Sequence, residues 1–333
     1  MKRTKFLIIF FISVLALGLF AGCGGSDISE PSSEEVQVGA HVRVGTLRGP
    51  AGMGMAPLMA WAEEGLTRND YSFTIGGAPE EMTASIISGA LDIAAVPVNL
   101  ASILYDRMDG EVQVISALTQ GVLFVLDSTG EVHTIEDLRG KTIHVTGQGA
   151  IPQFAFEHIL RGNGLEPGVD VEIVFNAEHA ELAALMAAGE VSIGLLPQPF
   201  VTSVLNQNED VEIALDLTAE WEAVDPDSVF VQSSVVVRRA FLEEYPEAVK
   251  LFLEEHAGSL AFVGAFAEES AELMEQFDIV PAAVARQVIP RSNFVYITGA
   301  EMRVAVETFL AVIFEANPQA IGGVMPGEDF FFG

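Results

Sequence analysis

Apolar and polar positions alternate in short blocks along most of the chain, and the period switches repeatedly between two and about 3.6 residues. Residues 41–46 (HVRVGT) alternate as a strand does, and 48–54 is rich in glycine. Residues 55–64 follow with Ala56, Met59 and Ala60 at helical spacing, and 71–75 alternate again. Residues 79–88 read as a helix whose first turn carries Pro79, Glu80 and Glu81. A buried strand over 91–96 (LDIAAV) is ended by Pro97. The same succession returns: strand 142–146, glycine-rich turn 147–150, helix 151–161, strand 171–175, helix 180–188, and strand 191–196 ended by Pro197. A shift of 100 residues superposes the two copies without a gap and brings Gly49 onto Gly149, Glu81 onto Glu181, Gly89 onto Gly189, Ile93 onto Ile193 and Pro97 onto Pro197. That period is far too long for a solenoid, so the pattern predicts two similar lobes. Strands alternating with helices make each lobe α/β, with mostly parallel strands.

Between the copies, 112–126 holds two strands around Thr119, Gln120 and Gly121, and 135–140 (IEDLRG) is a short helix. After the second copy comes a β-branched run, 229–237. A long helix follows with Val249, Phe252, Leu253 and Leu260 in phase and Pro246 in its first turn, and a last helix covers 300–315. Two strands therefore cross between the lobes, near 122–126 and near 233–237, and two crossings make a hinge rather than a loose linker.

The amino terminus follows a different pattern. Lys2, Arg3 and Lys5 precede 17 uncharged residues, 6–22, which are short for a membrane span and lead into polar sequence. Small residues then meet Cys23, and LFAGC resembles a bacterial lipobox, with Phe20 where leucine is usual. The expected reading is a signal peptide over 1–22, a lipid-bearing Cys23 and a Gly/Ser/Glu/Pro tether over 23–40. Such a lipid holds the protein to the outer face of the cell membrane without a spanning helix.

Charge sharpens the picture. The 333 residues contain 47 acidic against 16 basic side chains, a net charge of −31, yet half the chain is apolar. The apolar half excludes a disordered chain, and the scarcity of Lys and Arg excludes nucleic-acid binding. A single cysteine excludes an internal disulfide and a cysteine-based zinc cage. No G-x-S-x-G, P-loop or paired metal-ligating histidines occur, and the six histidines are widely spaced. The acidic pairs, such as Glu243–Glu244 and Glu254–Glu255, lie on predicted helices and diverge around them as solvated faces. An enzymatic reading has little material, and no metal or cofactor is expected.

A binding reading has more. Each lobe sets a glycine-rich turn and a helix start at the carboxyl end of a strand, where open α/β sheets hold ligands. On the rim of the first lobe these are Arg48, Gly49, Gly52 and Met53; on the second, Gly147, Gln148, Gly149 and Ala150. Pro97 and Asn99 should face Gln198 across the cleft, with Thr119, Gln120, Glu178 and His179 as further candidates. Arg48 can clamp a carboxylate or sulfonate, or pair with a neighbouring acid; both readings stand on the sequence. Trp61, Trp221 or Tyr105 can stack on a heterocycle if one of them reaches the cleft, although Trp61 also fits a core position.

The segments SGALDIAAVPVNLAS, IEDLRGKTIHVTGQGA, LMAAGEVSIGLLPQPFV and VVVRRAFLEEYPEAVKLFLEEH, with GTLRGPAGMG, resemble the type II periplasmic solute-binding proteins of ABC importers. Within that class the chain is similar to binding proteins for nitrate, sulfonates, taurine and thiamine precursors. The resemblance implies two Rossmann-like lobes on a two-strand hinge, with 123–235 inserted between 41–122 and 236–333. It implies a non-enzymatic monomer that closes on a small polar or anionic solute and delivers it to a permease driven by an ATPase. Family contacts fall on residues 48–53, 97–99 and 147–151. One departure is Ser192, where the family pattern, kept at Asp92 in the first copy, has an acid. A sensory protein presenting its ligand to a receptor shares these features.

Removal of 1–22 leaves 13 basic side chains against 47 acidic ones. Self-repulsion of that size is screened by salt, and it suits a salty or alkaline habitat. The melting temperature should therefore rise between 0.05 and 2 M NaCl; equal stability at both ends would refute the reading.

Overall fold

The computed structural model describes residues 39–292 and 294–333. The first lobe opens with β1 (His41–Leu47), α1 (Pro50–Glu63), β2 (Asp70–Gly76), α2 (Pro79–Ile87), β3 (Ile93–Pro97), α3 (Val98–Arg107) and β4 (Val112–Gln120). The chain then enters a second sheet through β5 (Leu123–Asp127), β6 (Thr142–Thr146), α4 (Ile151–Gly162), β7 (Glu172–Asn176), α5 (His179–Ala187), β8 (Ile193–Pro197), α6 (Phe200–Leu205), β9 (Glu212–Asp216) and α7 (Leu217–Val224). It returns with β10 (Val231–Arg238), α8 (Arg239–Glu244), α9 (Pro246–Ala265), α10 (Ala267–Gln276), α11 (Ala282–Val288), β11 (Phe294–Ile297) and α12 (Gly299–Ala316).

The strand order is β11-β4-β10-β3-β1-β2 in one sheet and β7-β6-β8-β5-β9 in the other. Each holds a parallel trio, β2-β1-β3 or β7-β6-β8, extended by the strand that has just arrived from the other lobe, β10 or β5, running antiparallel. The 100-residue repeat survives in the bounds of β3 and β8 and of α2 and α5. The glycines that end α2 and α5 explain why: Gly89 and Gly189 sit at φ 74° and 73°, a left-handed turn that costs other residues energy. The second crossing lies earlier than the sequence pattern suggests. β10 pairs with β3 and β4 from Val231 onward, so 231–235, expected in the second lobe, belong to the first sheet.

α1 also begins earlier than expected. The glycine-rich stretch is not a turn but the first helical turns, with Gly49 as N-cap and Pro50 following. Its glycines allow close packing: a Cβ on Gly52 would meet the Leu47 carbonyl oxygen at 2.4 Å, and one on Gly54 would meet Leu260 at 2.6 Å. Asp92, buried where the second copy has Ser192, accepts hydrogen bonds from the Arg43 backbone at 3.0 Å and from Arg43 Nε at 2.8 Å. It clamps the start of β3 to β1. Ser192 serves instead through its carbonyl, which accepts the Ser128 N–H at 3.0 Å.

One apolar core covers α1, α9, α10 and α11 on one face of the first sheet, and a smaller one lies under α5 and α6. The largest runs from the first lobe into the second through Trp221, Phe230 and Phe309. Phe230 and Trp221 stack at 5.1 Å, and Phe309 of α12 closes on both at 5.6 and 5.3 Å. Gly121, between β4 and β5, is small by necessity, since a Cβ there would stand 2.4 Å from the Phe230 ring.

His256 on α9 is fully buried between Phe252 and Tyr296, with no hydrogen-bond partner for either ring nitrogen. Burial drives its pKa from 6.5 down to about 4. Below pH 6.5 the unfolded chain takes up a proton that the folded protein refuses, so stability falls as pH drops from 6.5 towards 4. At pH 5 the loss amounts to about 2 kcal/mol. Urea unfolding of the wild type and His256→Met at pH 7 and pH 5 checks this: the wild type should lose about 2 kcal/mol more than the variant. Equal losses would remove His256 as the cause.

Candidate functional site

Two adjoining cavities open at the carboxyl ends of the parallel strands. The smaller, about 140 Å³, lies between the ends of β1 and β3, the start of α1 and the two crossing segments, and Leu47, Arg48, Pro50, Val122 and Ser233 are among its walls. The larger, about 510 Å³, is walled on one side by the starts of α2 and α3 and by Gln319 and Ala320. On the other side stand Gln148, Gly149, Ala150, Ile151 and Pro152 of the second lobe. Pro97 and Gln232 border both, so the two form one cleft with a wall from each sheet and a floor on the hinge.

Local sequence explains how the walls are held. Pro97 ends β3 at φ −53° and serves as N-cap of α3, which starts at Val98. Asn99 is buried and its side-chain amide donates to the Ala320 carbonyl at 3.2 Å, while Ser102 Oγ donates to the Ile321 carbonyl at 2.7 Å. These two bonds fasten the segment carrying Gln319 and Ala320 against α3. In the second lobe, Gly147 and Gly149 take φ 77° and 73° and turn the chain into α4. The Gly149 N–H donates to Gln153 Oε1 at 2.7 Å. Gln232 Oε1 accepts the Val122 N–H at 2.9 Å, tying one crossing to the other.

Ten of the expected site residues fall into three groups. Arg48, Pro97, Asn99, Gln148, Gly149 and Ala150 line the cleft. Gly49 and Gly147 shape its edges as the N-cap of α1 and the turn before α4. Thr119 and Gln120 end β4 opposite Ser233 and Val231 of β10, at the first crossing. Arg48 pairs with an acid here: Nε donates to the Asp278 carbonyl and Nη2 to its carboxylate, both at 3.1 Å.

Other expectations are corrected. Met53 has no exposed surface and packs in the core under the first sheet, because α1 starts at Pro50 and turns that side chain inward. Gly52 is buried against Leu47, where it serves packing. Gln198 is buried at the end of β8, with Oε1 accepting from Thr202 Oγ1 at 2.9 Å and its N–H donating to the Val122 carbonyl. Its side-chain nitrogen has no partner. Glu178 is the exposed N-cap of α5. His179 shares a 2.5 Å hydrogen bond with Thr146 at the end of β6 and packs against Phe200 at 5.3 Å. Burial lowers its pKa, which favours the neutral imidazole.

Trp61 packs edge-on to Phe262, Tyr105 donates to Asp329, and Trp221 is in the core, so none of the three aromatic candidates lines either cavity. Sequence reasoning missed Gln232 and Gln319. Gln232 interrupts a β-branched run, and that interruption was its one signal; Gln319 lies in a short carboxyl-terminal turn that shows none. Cys23 and the amino-terminal segment before residue 39 lie outside the described residues. Among the described residues, no helix is long and apolar enough to cross a membrane, and no cluster of potential metal ligands occurs.

Known proteins share this architecture. An ABC transporter crystal structure from Parabacteroides distasonis superposes with a TM-score of 0.74 at 22% identity, over 88% of this chain and 98% of that one. The periplasmic aliphatic sulphonate binding protein SsuA of Escherichia coli gives 0.71 at 16% identity, over 88% and 92%. The periplasmic nitrate-binding protein NrtA of Synechocystis PCC 6803 gives 0.59 at 14%, over 85% and 82%. At these identities the likeness is one of fold. In sequence, 131 residues are 29% identical to the "Putative binding protein YtlA" of Bacillus subtilis (strain 168), a match covering 38% of each chain. The family model described as ABC transporter, phosphonate, periplasmic substrate-binding protein matches residues 53–286. The chain belongs to this family of periplasmic substrate-binding components of ABC transporters.

Proposed function

We propose that the protein captures a small polar solute in the cleft between its lobes and delivers it to a membrane permease powered by an ATPase. The observation that carries this reading is the cavity of about 510 Å³ with walls from both sheets and Gln232 of the hinge on its floor. A ligand seated there touches both lobes at once, so it stabilises the closed arrangement over the open one by its extra contacts. Pro97, Asn99, Gln148, Gly149, Ala150 and Gln232 are the contact residues. In this reading residues 41–122 and the return segment from about 231 form the first lobe, with the second inserted between them.

The family's setting outside the cytoplasm supports the lipobox reading of the amino terminus. Cys23 carries the lipid, the tether follows it, and the folded body works as a monomer at the membrane surface. Cys23→Ala should move the protein from the membrane fraction to the soluble fraction; retention in the membrane would refute lipid anchoring.

The uptake reading is tested by thermal shift and small-angle scattering across a panel of small metabolites. A true ligand at a hundredfold its Kd should raise the melting temperature by about 5 °C, with a smaller radius of gyration. A panel covering sulfonates, phosphonates, nitrate, amino acids and heterocycles that gives neither response would overturn the capture mechanism.

A further inference from the structure

A further cavity, of about 520 Å³, lies apart from the cleft, where helices that serve different sheets meet. Its walls are His158, Arg161 and Gly162 of α4 and Val312, Glu315 and Ala316 of α12. α4 packs on β6 and α7 beside the second sheet, whereas α12 packs on β4 and β10 of the first. The contact of α4 with α7 is tight: a Cβ on Gly162 would stand 2.1 Å from Val224. The contact of α4 with α12 leaves the cavity. A shift of one sheet against the other is therefore taken up more easily between α4 and α12 than between α4 and α7.

His158 is the titratable ring at this junction. It lies 4.6 Å from the ring of Trp221, which Phe309 of α12 also touches. Its Nε2 is buried without a hydrogen-bond partner, because Asp225 Oδ2, at 3.7 Å, is too far to accept one. The charged groups around it are Asp225 after α7, Glu315 on α12, and Arg161 one turn along α4. Arg161 is itself paired with Glu157 at 3.0 Å and with Glu166 at 3.7 Å. Burial opposes a proton on the ring most, Asp225 and Glu315 favour it, and Arg161 opposes it; the net effect is a pKa below the usual 6.5.

A proton on this ring would place a cation against Trp221 with Nε2 unpartnered, and water would hold that cation better than the packed site does. As pH falls below 6.5, any arrangement that hydrates the ring gains over the packed one. We propose that the junction of α4 with α12 is a pH-sensitive contact between the two sheets, packed while His158 is neutral and loosened when His158 takes up a proton. The proposal does not rest on the uptake reading, and its test uses no ligand.

The test is hydrogen–deuterium exchange on the ligand-free protein at pH 7.5 and pH 5.0, corrected for the intrinsic pH dependence of amide exchange. Exchange in the facing turns of α4 and α12 should speed up about threefold or more at pH 5.0, with α2 and α5 unchanged. His158→Gln should abolish the increase. Glu315→Gln removes a carboxylate that eases the proton into the packed site, so the increase should grow. Arg161→Gln removes an opposing cation, so the increase should shrink. A role in packing alone would act alike at both pH values and would not give these opposite signs. No increase in the wild type, an increase that spreads equally to α2 and α5, or one that persists in His158→Gln would overturn the proposal. If His158→Gln fails to fold, the other two variants decide, and responses of the same sign or in the reverse order would overturn it.

Discussion

The structure depends on one buried contact between its halves, the aromatic packing of Trp221, Phe230 and Phe309. Trp221 comes from the second lobe, Phe309 from α12 of the first, and Phe230 from the strand of chain that joins them. All three are fully or almost fully buried, and they make the main apolar core continuous across the crossing. Close-packed rings of this kind resist separation, since parting them would expose a large apolar area at about 25 cal/mol per Å². The lobes are therefore held together on this side, and the cavities lie where the two sheets end without such packing. The unpartnered indole nitrogen of Trp221 shows how strongly shape governs here, as a buried donor without a partner costs about 1–3 kcal/mol.

Much of the architecture was legible because it was written twice. A left-handed glycine after a helix and a proline after a buried strand are positions that backbone geometry restricts to few residues, and both recur at a spacing of 100. The family-typical Asp and its replacement by Ser192 were also visible, and each has a structural role of its own. The glycines of α1 misled, because a glycine needed for close helix packing looks in sequence like one needed for a turn. Met53 followed that error into the core. Gln232 escaped because the cleft floor is made where two distant crossings meet, and no local pattern records such a meeting. Asn99 was expected at the cleft and lines it, but its bond holding the carboxyl-terminal segment to α3 left no trace in the sequence.

The acidic surface and the cleft follow different electrostatic rules. Most basic side chains of the folded body, among them Arg68, Arg139, Arg161, Arg286 and Arg303, pair with exposed carboxylates. Exposed pairs of that kind contribute little to stability, and they leave a large excess of unpaired acid facing solvent. Asp92 is the exception, since it is buried and its partner Arg43 reaches it from only partly exposed backbone and side chain. Inside the cleft the charge nearly vanishes, and amides take over. The fold thus separates the charge that keeps the protein hydrated from the mostly neutral groups that line the cleft.

The aromatic contact at the lobe junction also gives the molecule an optical gauge. The chain has two tryptophans, and one of them, Trp221, sits in that contact with the His158 ring 4.6 Å away. The other, Trp61, packs on Phe262 within the first lobe. Indole emission responds to the distance and tilt of neighbouring rings. Of the rings around Trp221, Phe309 belongs to the first lobe, so any turning of one lobe against the other that shifts Phe309 would alter the surroundings of one indole in a chain that has only two.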